Sequence, residues 1–402
     1  MPRYLNSIGL LALAIVSLTA RAVQPGAFAK HVVDNEFMGG YQVSVADIDS
    51  DGKPDIIALS TTPSQLVWYK NPTWERHTIT TKTERNIDVA PHDIDGDGDP
   101  DLALAYEFNL EDSQSGGKVA WLECPDSPAQ IAEWKIHAIR QIPTSHRVRW
   151  LRLEQDKYAL LDLPIVGVGA TPPDFVGPVS FSAFVVEGSP AAVSPWRSIV
   201  INDRTLELAH GMCVVQWDSD FVHEVLTASA AGVHLFDFGS NINLPPKPVR
   251  VAKGHEGTAP GKGSSEVALG VVSSQEMRFV ATIEPWHGNE VVVYEIGTPA
   301  TMGEERVVID SALKDGHALG CLDVDGDGND EIVAGGRGGE MALRIYQFAA
   351  ESAEWEICVL DKGGMGAAGL VIADINQDGR QDIVAIGTAT HNVAWYENML
   401  QW

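Results

Sequence analysis

The sequence predicts an all-β fold, a seven-bladed β-propeller with four-stranded blades. The first observation is a recurring acidic motif, whose complete copies are DIDSDGKPD (47–55), DIDGDGDPD (93–101), DVDGDGNDE (323–331) and DINQDGRQD (374–382). Each copy lies between an alternating run and an apolar run, a pattern that indicates strand, acidic loop and strand. A repeated unit of about 50 residues that cannot bury its own faces is typical of a propeller.

The second observation is that degenerate copies of the motif fill the gap between the second and third complete ones. They align when Arg152, Gln216 and Gly270 take the place of the first aspartate. The seven anchors then fall at positions 47, 93, 152, 216, 270, 323 and 374. The three degenerate units have lost key carboxylates, and we therefore expect them to bind no ion.

The third observation concerns the two ends of the chain. Each unit continues with a third strand such as LVWYKNP and a fourth strand such as WERHTI. The last unit stops at its third strand, NVAWYENMLQW, whereas FAKHVVD (28–34) near the start is a spare fourth-strand match. The N-terminal strand is therefore predicted to complete the last blade, which closes the ring and leaves no open edge.

The start of the chain has the pattern of a secretory signal peptide. Arg3 is followed by the apolar run 8–18 and by Ala20-Arg21-Ala22, a small-x-small cleavage site. The predicted segments are a signal peptide at 1–22 and a propeller at 23–402, and the predicted location is secreted or periplasmic. The apolar run is too short to span a bilayer, so no membrane insertion is expected.

The composition excludes some classes of binding partner and indicates the state of the cysteines. The net charge of −27 argues against nucleic acid and anionic membranes as partners. Four cysteines are too few for a disulfide scaffold, and we expect them to be buried free thiols.

The complete acidic loops predict structural calcium sites. Alternate carboxylates converge where the chain curls around a cation, and hard oxygen ligands suit Ca²⁺. We expect these ions to hold the first hairpin of a blade rather than to regulate it. The predicted calcium ligands are Asp47, Asp49, Asp51 and Asp55, then Asp93, Asp95, Asp97 and Asp101, then Asp323, Asp325, Asp327 and Glu331, then Asp374, Asn376, Asp378 and Asp382.

Histidines concentrate on the face opposite the acidic loops. The residues six positions before the anchors begin the innermost strands, and they are Tyr41, Ile87, His146, His210, Ser264, His317 and Ala368. The hairpin IEPWHGNEVVVYE (283–295) adds His287 on the same face. Three neutral imidazoles with one open position describe a catalytic Zn²⁺ site. His77 and His137 lie on outer strands and are expected to pack there, and His391 is a weaker candidate on the mouth face.

Other polar and aromatic residues are predicted on the same face. Lys262 and Glu266 lie in the segment leading into the fifth blade. Arg149 and Arg337 can either anchor a substrate or pair with acids, and Trp286 can either stack on a sugar ring or pack. No Gly-x-Ser-x-Gly elbow and no Cys/His signature occurs in the sequence.

The acidic repeats resemble FG-GAP/VCBS propellers such as those of integrin α-chains. The segments SHRVRW, HGM, GKGSSEV, EPWHGNEVVVYE, DGHALGCLDVDGDGNDEIVAGGRG and NVAWYEN resemble the propeller domain of the fungal aldos-2-ulose dehydratases, over about 28 to 402. The resemblance implies a Zn²⁺ that polarises the keto group of a sugar while a histidine moves protons in a β-elimination. It implies His210, His287 and His317 as ligands and His146 as acid/base. Isomerase activity, which that family owes to further domains, is not expected of this chain.

Two functional hypotheses follow. The first is a secreted, Zn-dependent lyase or dehydratase that acts on a small keto-sugar or oxidised glycoside. Its catalytic residues are predicted to be His146, Arg149, Arg337 and Glu284, and its substrate-binding residues Trp286, Lys262 and Glu266. The alternative is a non-catalytic, calcium-stabilised propeller that binds glycans or partner proteins. Two less favoured hypotheses are a hydrolase and a metal-binding protein with another purpose.

Overall fold

The described part of the chain consists of β-strands and their connections. This computed structural model describes residues 23–24, 26–155, 157–218, 220–239, 241–273, 277–296, 305–349 and 352–400, and the predicted signal peptide lies outside them. Long apolar helices of the kind that cross a bilayer do not occur in these ranges.

The first four blades are antiparallel sheets whose strands follow the chain from the inside of the ring to the outside. Blade one contains β2 (Gly40–Ala46), β3 (Asp55–Ser60), β4 (Gln65–Lys70) and β5 (Glu75–Thr78). Blade two contains β6 (Asp88–His92), β7 (Asp101–Tyr106), β8 (Lys118–Glu123) and β9 (Lys135–Gln141). Blade three contains β10 (Ser145–Glu154), β11 (Lys157–Pro164), β12 (Phe181–Val185) and β13 (Arg197–Asn202). Blade four contains β14 (Gly211–Val215), β15 (Glu224–Ser229), β16 (Gly232–Phe236) and β17 (Val249–Ala252).

The remaining three blades complete the ring and confirm the seven-bladed prediction. Blade five contains β18 (Glu266–Val272), β19 (Met277–Glu284), β20 (Glu290–Ile296) and β21 (Val307–Asp310). Blade six contains β22 (Gly316–Leu322), β23 (Glu331–Gly336), β24 (Ala342–Ala349) and β25 (Glu354–Lys362). Blade seven contains β26 (Ala367–Ala373), β27 (Asp382–Gly387), β28 (Asn392–Asn398) and, as its outer strand, β1 (Phe28–Asp34).

The ring closes through the pairing of the first strand with the last. β1 runs antiparallel to β28, with Phe28 opposite Asn398 and Val32 opposite Ala394. An ion pair of 2.6 Å between Lys30 Nζ and Asp361 Oδ2 joins β1 to the neighbouring blade. The predicted closure by the N-terminal strand is therefore confirmed.

The core lies between neighbouring blades, because each sheet packs its faces on the next. Second strands such as β3 and β27 are buried at every position, whereas outer strands such as β5 are partly exposed. The outer-strand histidines pack as expected. The His77 ring stacks on Trp68 with centroids 4.6 Å apart, and the His137 ring stacks on Trp121 at 4.1 Å. All four cysteines are free, although only Cys124 is fully buried.

The acidic loops are held by their last carboxylate. Asp55 accepts hydrogen bonds from the backbone N–H groups of Ile48 (2.9 Å) and Asn71 (2.8 Å), so it ties the loop to the end of the third strand. Three complete loops bring at least three carboxylates within 4.8 Å of one another, and these groups are Asp47, Asp49 and Asp55, then Asp93, Asp95 and Asp101, then Asp323, Asp325 and Glu331. Calcium in these loops stays a prediction.

Two complete loops also contain a basic side chain of the protein itself. In blade one, Lys70 Nζ contacts Asp49 and lies 3.2 Å from Asp51 Oδ2. In blade seven, Arg380 pairs with Asp378. These pairs partly neutralise the loops. The two basic side chains would therefore compete with a cation for the same carboxylates.

Ring closure leads to the first prediction. Deletion of residues 23–34 removes the outer strand of blade seven and exposes the edge of β28, so the melting temperature should fall by more than ~10 °C or the protein should aggregate. Calorimetry and light scattering measure both effects. The matched control is Lys30→Ala, which removes the ion pair but keeps the strand and should cost only a few degrees. Equal stability of the deletion variant and the parent would contradict closure by β1.

The second prediction is a pH dependence of calcium protection. Burial raises the pKa of Asp55 to about 6 and that of Asp101 to about 7. Without calcium, these raised values make the fold less stable as pH rises through about 4 to 7, because the folded state then holds ionised carboxylates in buried, poorly solvated positions. Calcium binds the ionised form, so the difference in melting temperature between calcium and EDTA should grow from pH 5 to pH 8. A difference that shrinks with rising pH would contradict calcium binding at these loops.

Candidate metal site at the mouth of the channel

The four histidines reach one mouth of the ring from three inner strands and one hairpin turn. His146 and His317 are the second residues of β10 and β22, and His210 directly precedes β14. His287 lies in the turn between β19 and β20 with a positive φ of 48°. A Cβ on Gly288 would lie 2.0 Å from the backbone oxygen of Glu284, so this tight turn requires glycine there. Because the turn is tight, it projects the His287 ring over the mouth.

Three of the histidines form a compact nitrogen cluster, defined here as His210, His287 and His317. One ring nitrogen of each lies within 4.8 Å of the other two. The Nε2 atoms of His287 and His210 are 3.1 Å apart. Burial lowers the pKa of His210 and His317 well below the usual value and that of His287 to about 4. The imidazoles are therefore neutral near pH 7, which is the form that binds metals.

Acceptors behind the ring orient His210 and His317, whereas Nδ1 of His287 accepts a hydrogen bond from Arg337. His210 Nδ1 lies 2.8 Å from Glu266 Oε1, and His317 Nδ1 donates to the backbone oxygen of Ala368. His287 Nδ1 lies 3.1 Å from Arg337 Nη2 and 3.6 Å from Asp315 Oδ1. Carboxylate or carbonyl partners behind the ring are the usual support of metal-ligating histidine.

The cluster fits a divalent transition metal. Two imidazole nitrogens 3.1 Å apart repel unless a proton or a cation lies between their lone pairs. A set of three neutral imidazoles, two of them with a hydrogen-bond acceptor behind the ring, suits tetrahedral Zn²⁺ with one position left for another ligand. The arrangement can therefore hold zinc and present it to the mouth.

The fourth histidine, His146, is hydrogen-bonded to Tyr41 beside the cluster. The His146 ring lies 4.6 Å from the His210 ring, measured between centroids. Its Nε2 is 2.9 Å from the Tyr41 hydroxyl and 3.2 Å from Arg147 Nη1, while its buried Nδ1 has no partner among the described residues. The Tyr41 hydroxyl is also 3.2 Å from His317 Nε2. Tyr41 thus connects His146 to the nitrogen cluster.

Burial and positive charge set the acidity of this pair. The pKa of His146 is lowered well below its usual value by burial and then by Arg147. The pKa of Tyr41 is raised by burial, against the lowering effect of Arg147. At neutral pH, both groups are uncharged, and a protonated His146 would be a stronger acid than an ordinary imidazolium.

Arg147 is the main functional candidate that sequence reasoning missed. Its guanidinium is buried, and Nη2 lies 3.2 Å from Glu266 Oε1. This ion pair lies beneath the histidines and at the top of a channel of about 600 Å³ lined by the seven inner strands. The segment SHRVRW contains a signal, because alternation places Arg147 and Arg149 on the same face of β10.

The structure brings some of the other predicted residues to the site. Glu266 and Arg337 contact the nitrogen cluster directly. The Trp286 ring lies 4.6 Å from the His287 ring and 5.9 Å from Phe175, and its buried Nε1 has no partner among the described residues. These residues form one wall of the mouth.

The remaining predicted residues lie away from the nitrogen cluster. Arg149 pairs with Asp88 within the channel, and Lys262 Nζ lies 3.7 Å from Glu207 at the rim. Exposed His391 lies apart, with its Nδ1 3.5 Å from the Gly39 N–H.

Glu284 differs most from the sequence-based expectation. It is fully buried and bonds to Ser264 Oγ (3.0 Å), Tyr294 OH (2.9 Å) and Arg306 Nε (2.7 Å). These partners place it at the base of the hairpin that carries His287. The structure therefore gives Glu284 an anchoring position in place of the expected catalytic one.

The matches to protein families agree with the resemblance found in the sequence. A family described as the β-propeller domain of aldos-2-ulose dehydratase matches residues 116–296, and FG-GAP-like repeats match residues 29–104 and 323–385. The aldos-2-ulose dehydratase of Phanerodontia chrysosporium is 25% identical over 236 residues, which are 54% of this chain and 25% of that protein. The chain thus spans about a quarter of the length of this relative.

Solved structures share the architecture at low sequence identity. BBS1N, crystallised in complex with ARL6DN and soaked with lead, has a TM-score of 0.54 at 11% identity, covering 94% of this chain and 98% of that one. The exotype rhamnogalacturonan lyase YesX has a TM-score of 0.51 at 10% identity, covering 90% and 72%. At such low sequence identities, the similarity shows a shared fold only.

The nitrogen cluster leads to the third prediction. Replacing His210, His287 or His317 by Ala removes one of three nitrogen ligands and should lower bound zinc by about one equivalent per chain. Mass spectrometry of the metals in purified, folded protein measures this loss. His391→Ala is the matched control, because it removes a histidine from the same face but outside the cluster. Retention of zinc by all three cluster variants would contradict the assignment.

Proposed function

We propose that this chain is a metal-dependent carbon–oxygen lyase that eliminates water or an alcohol from a keto-sugar or an oxidised glycoside. One observation carries the proposal: three neutral imidazoles converge beside a Tyr41–His146 pair that can move a proton. The similarity to a dehydratase supports a sugar as the class of substrate. The predicted signal peptide supports action outside the cytoplasm.

The first requirement of this reaction is that the C–H proton next to the substrate's ketone becomes more acidic than it is in water. His210, His287 and His317 are the residues that hold the metal. When bound there, Zn²⁺ supplies Lewis-acid polarisation of a carbonyl oxygen, which is worth several kcal/mol to the developing negative charge. Glu266 keeps the ring of His210 oriented from behind, and the backbone oxygen of Ala368 does so for His317.

The second requirement is a group that moves the proton. The Tyr41 hydroxyl lies between His317 and His146 Nε2 and is half-buried at the mouth. As the substrate's C–H proton leaves, its electron pair forms the new C=C bond and the C–O bond at the β-carbon breaks. His146 receives the proton, directly or through Tyr41, and returns it to the departing oxygen. Such assistance is worth about 10²–10⁴ in rate.

Arg147 and Glu266 tune this proton transfer. The guanidinium disfavours a second positive charge on His146, so the protonated ring gives its proton up readily to the leaving oxygen. Glu266 lies 3.2 Å from the same guanidinium and limits that effect.

The third requirement is a surface that binds a sugar. Trp286, backed by Phe175, presents an aromatic wall on which a sugar ring can stack. Arg337 is held by two hydrogen bonds of 2.9 and 2.8 Å to Asp315 and can donate to a hydroxyl group. Lys262 at the rim is a further donor for a larger glycoside.

The fourth prediction tests this function through turnover of a 2- or 3-keto sugar, followed as ultraviolet absorbance of the enone product. His146→Gln and Tyr41→Phe should each keep zinc and lower kcat by about 10²-fold or more, because the proton route is broken while the ligands remain. His391→Ala is the control and should retain parental activity. If the zinc-loaded parent eliminates no keto-sugar but binds glycans, the lyase proposal fails and the binding propeller replaces it.

A further inference from the structure

The acidic loop of blade four has lost the features that identify a cation site in the sequence. In QWDSDFVHE (216–224), Gln216 replaces the first aspartate. Phe221 replaces a glycine that has a positive φ in the complete loops, such as Gly52 with φ of 88°. The sequence therefore predicts no ion there. From the structure, we infer that Asp218, Glu224 and Asp237 form a divalent-cation site, which we assign to Ca²⁺.

The first observation is the convergence of three carboxylates from two separate segments. One oxygen each of Asp218, Glu224 and Asp237 lies within 4.8 Å of the others. Asp218 belongs to the loop and Glu224 begins β15, whereas Asp237 directly follows β16. No ion pair with Lys, Arg or His is present for any of the three among the described residues. Their negative charge therefore has no counter-charge from those residues.

The second observation is independent and concerns Glu224. The residue is fully buried, and its Oε2 accepts a 2.6 Å hydrogen bond from the Trp217 N–H. Its other oxygen, Oε1, is buried without a hydrogen-bond partner among the described residues. In blade one, the equivalent Asp55 uses its second oxygen to accept from the Asn71 N–H at 2.8 Å. A buried carboxylate oxygen without a donor is costly unless a cation binds it.

The position of Asp237 shows whether the positive charge comes from a side chain of the protein or from an ion in solution. Val225 pairs with Phe236 in blade four as Ile56 pairs with Tyr69 in blade one. The next residue is Asp237 in blade four and Lys70 in blade one. Lys70 supplies its own ammonium group to the acidic loop beside it. Blade four has a carboxylate at the same position, so its cation must come from solution.

Three other blades carry an acid at this position, Glu123, Glu295 and Glu397. Blade five, with exposed Glu295, has lost the acidic loop, whereas blades two and seven neutralise the acid within the sheet. Glu123 of blade two pairs with Lys135 at 2.9 Å and His137 at 2.6 Å. Glu397 of blade seven pairs with His31 at 2.7 Å. Basic residues of the outer strands β9 and β1 supply these partners. Asp237 has no such ion pair in the described part of blade four.

The ligand set selects the class of cation. Three carboxylate oxygens are hard ligands, and no nitrogen or sulfur ligand is part of the group. Asp218 and Asp237 are exposed, which leaves room for water ligands. A site with carboxylates from two segments and several waters accommodates the variable geometry of Ca²⁺ better than the strict octahedron of Mg²⁺.

Trp217 makes the site observable in the full-length protein. Its backbone N–H bonds to Glu224, and the other acid-rich loops have Ile or Val at this position. Terbium, used as a Ca²⁺ substitute, should luminesce by energy transfer from Trp217, and Trp217→Phe should remove most of the blade-four signal. Calcium should displace the terbium.

The deciding experiment measures calcium stoichiometry by equilibrium dialysis. Glu224→Gln and Asp237→Asn should each lower bound calcium by about one equivalent or weaken that site at least ~10-fold. Asp237→Lys copies the arrangement of blade one, so it should lose the same equivalent while keeping the parental melting temperature in EDTA. The control is Asp203→Asn, an exposed aspartate outside the cluster.

Each outcome decides the inference. Loss of one calcium in the folded Asp237→Lys protein supports it even if Glu224→Gln folds poorly. Calcium stoichiometry and affinity that are both unchanged in the two Asp237 variants overturn it. Terbium luminescence that is the same in the parent and in Trp217→Phe, together with unchanged calcium binding, identifies the group as an acidic cluster only. Zinc content at the channel mouth should not change in any of these variants, which separates this test from the proposed lyase function.

Discussion

The closure of the ring by β1 and β28 is the constraint on which the rest of the structure depends. The histidines at the mouth come from four different blades, and none of these blades contains more than one of them. Their nitrogens meet only if all seven sheets keep their angular positions around the channel. Pairing of β1 with β28 fixes the last of those positions, because it removes the only gap through which the ring could open.

The ring separates two kinds of chemistry onto opposite faces. The acidic loops offer hard oxygen ligands, whereas the mouth offers three neutral imidazole nitrogens. A cation that prefers oxygen ligands would therefore bind on one face, and a cation that prefers nitrogen ligands would bind on the other. Between the two faces, the ion pair of buried Arg147 and partly buried Glu266 lines the channel.

Burial acts in opposite directions on the two faces. It lowers the pKa of the histidines and keeps them neutral, which prepares them as ligands. It raises the pKa of the last carboxyl of each acidic loop, so those groups oppose the fold unless a cation or a proton compensates them. The same desolvation therefore leaves the histidines as neutral nitrogen donors and makes a compensating proton or cation favourable at the loops.

The architecture could be predicted from the sequence because it is encoded locally. Alternation of period two, Asp-Gly turns and a repeat of about 50 residues each act within one blade, and the spare strand at 28–34 indicated how the ring closes. The same periodicity placed His146, His210 and His317 on one face. Contacts between side chains needed the tertiary structure. Tyr41 meets His146 and His317 across 105 and 276 residues of sequence.

The sequence by itself determined the number of blades, the closing strand and the face that carries the histidines. The tertiary structure decided which side chains share a site. It turned Glu284 into the base of the hairpin, brought buried Arg147 beneath the rings, and placed Asp237 beside Glu224 in a blade that lacks the complete acidic motif. The physical reason is that repeats and turns depend on neighbouring residues, whereas burial, ion pairing and ligand geometry depend on strands that meet only in the folded ring.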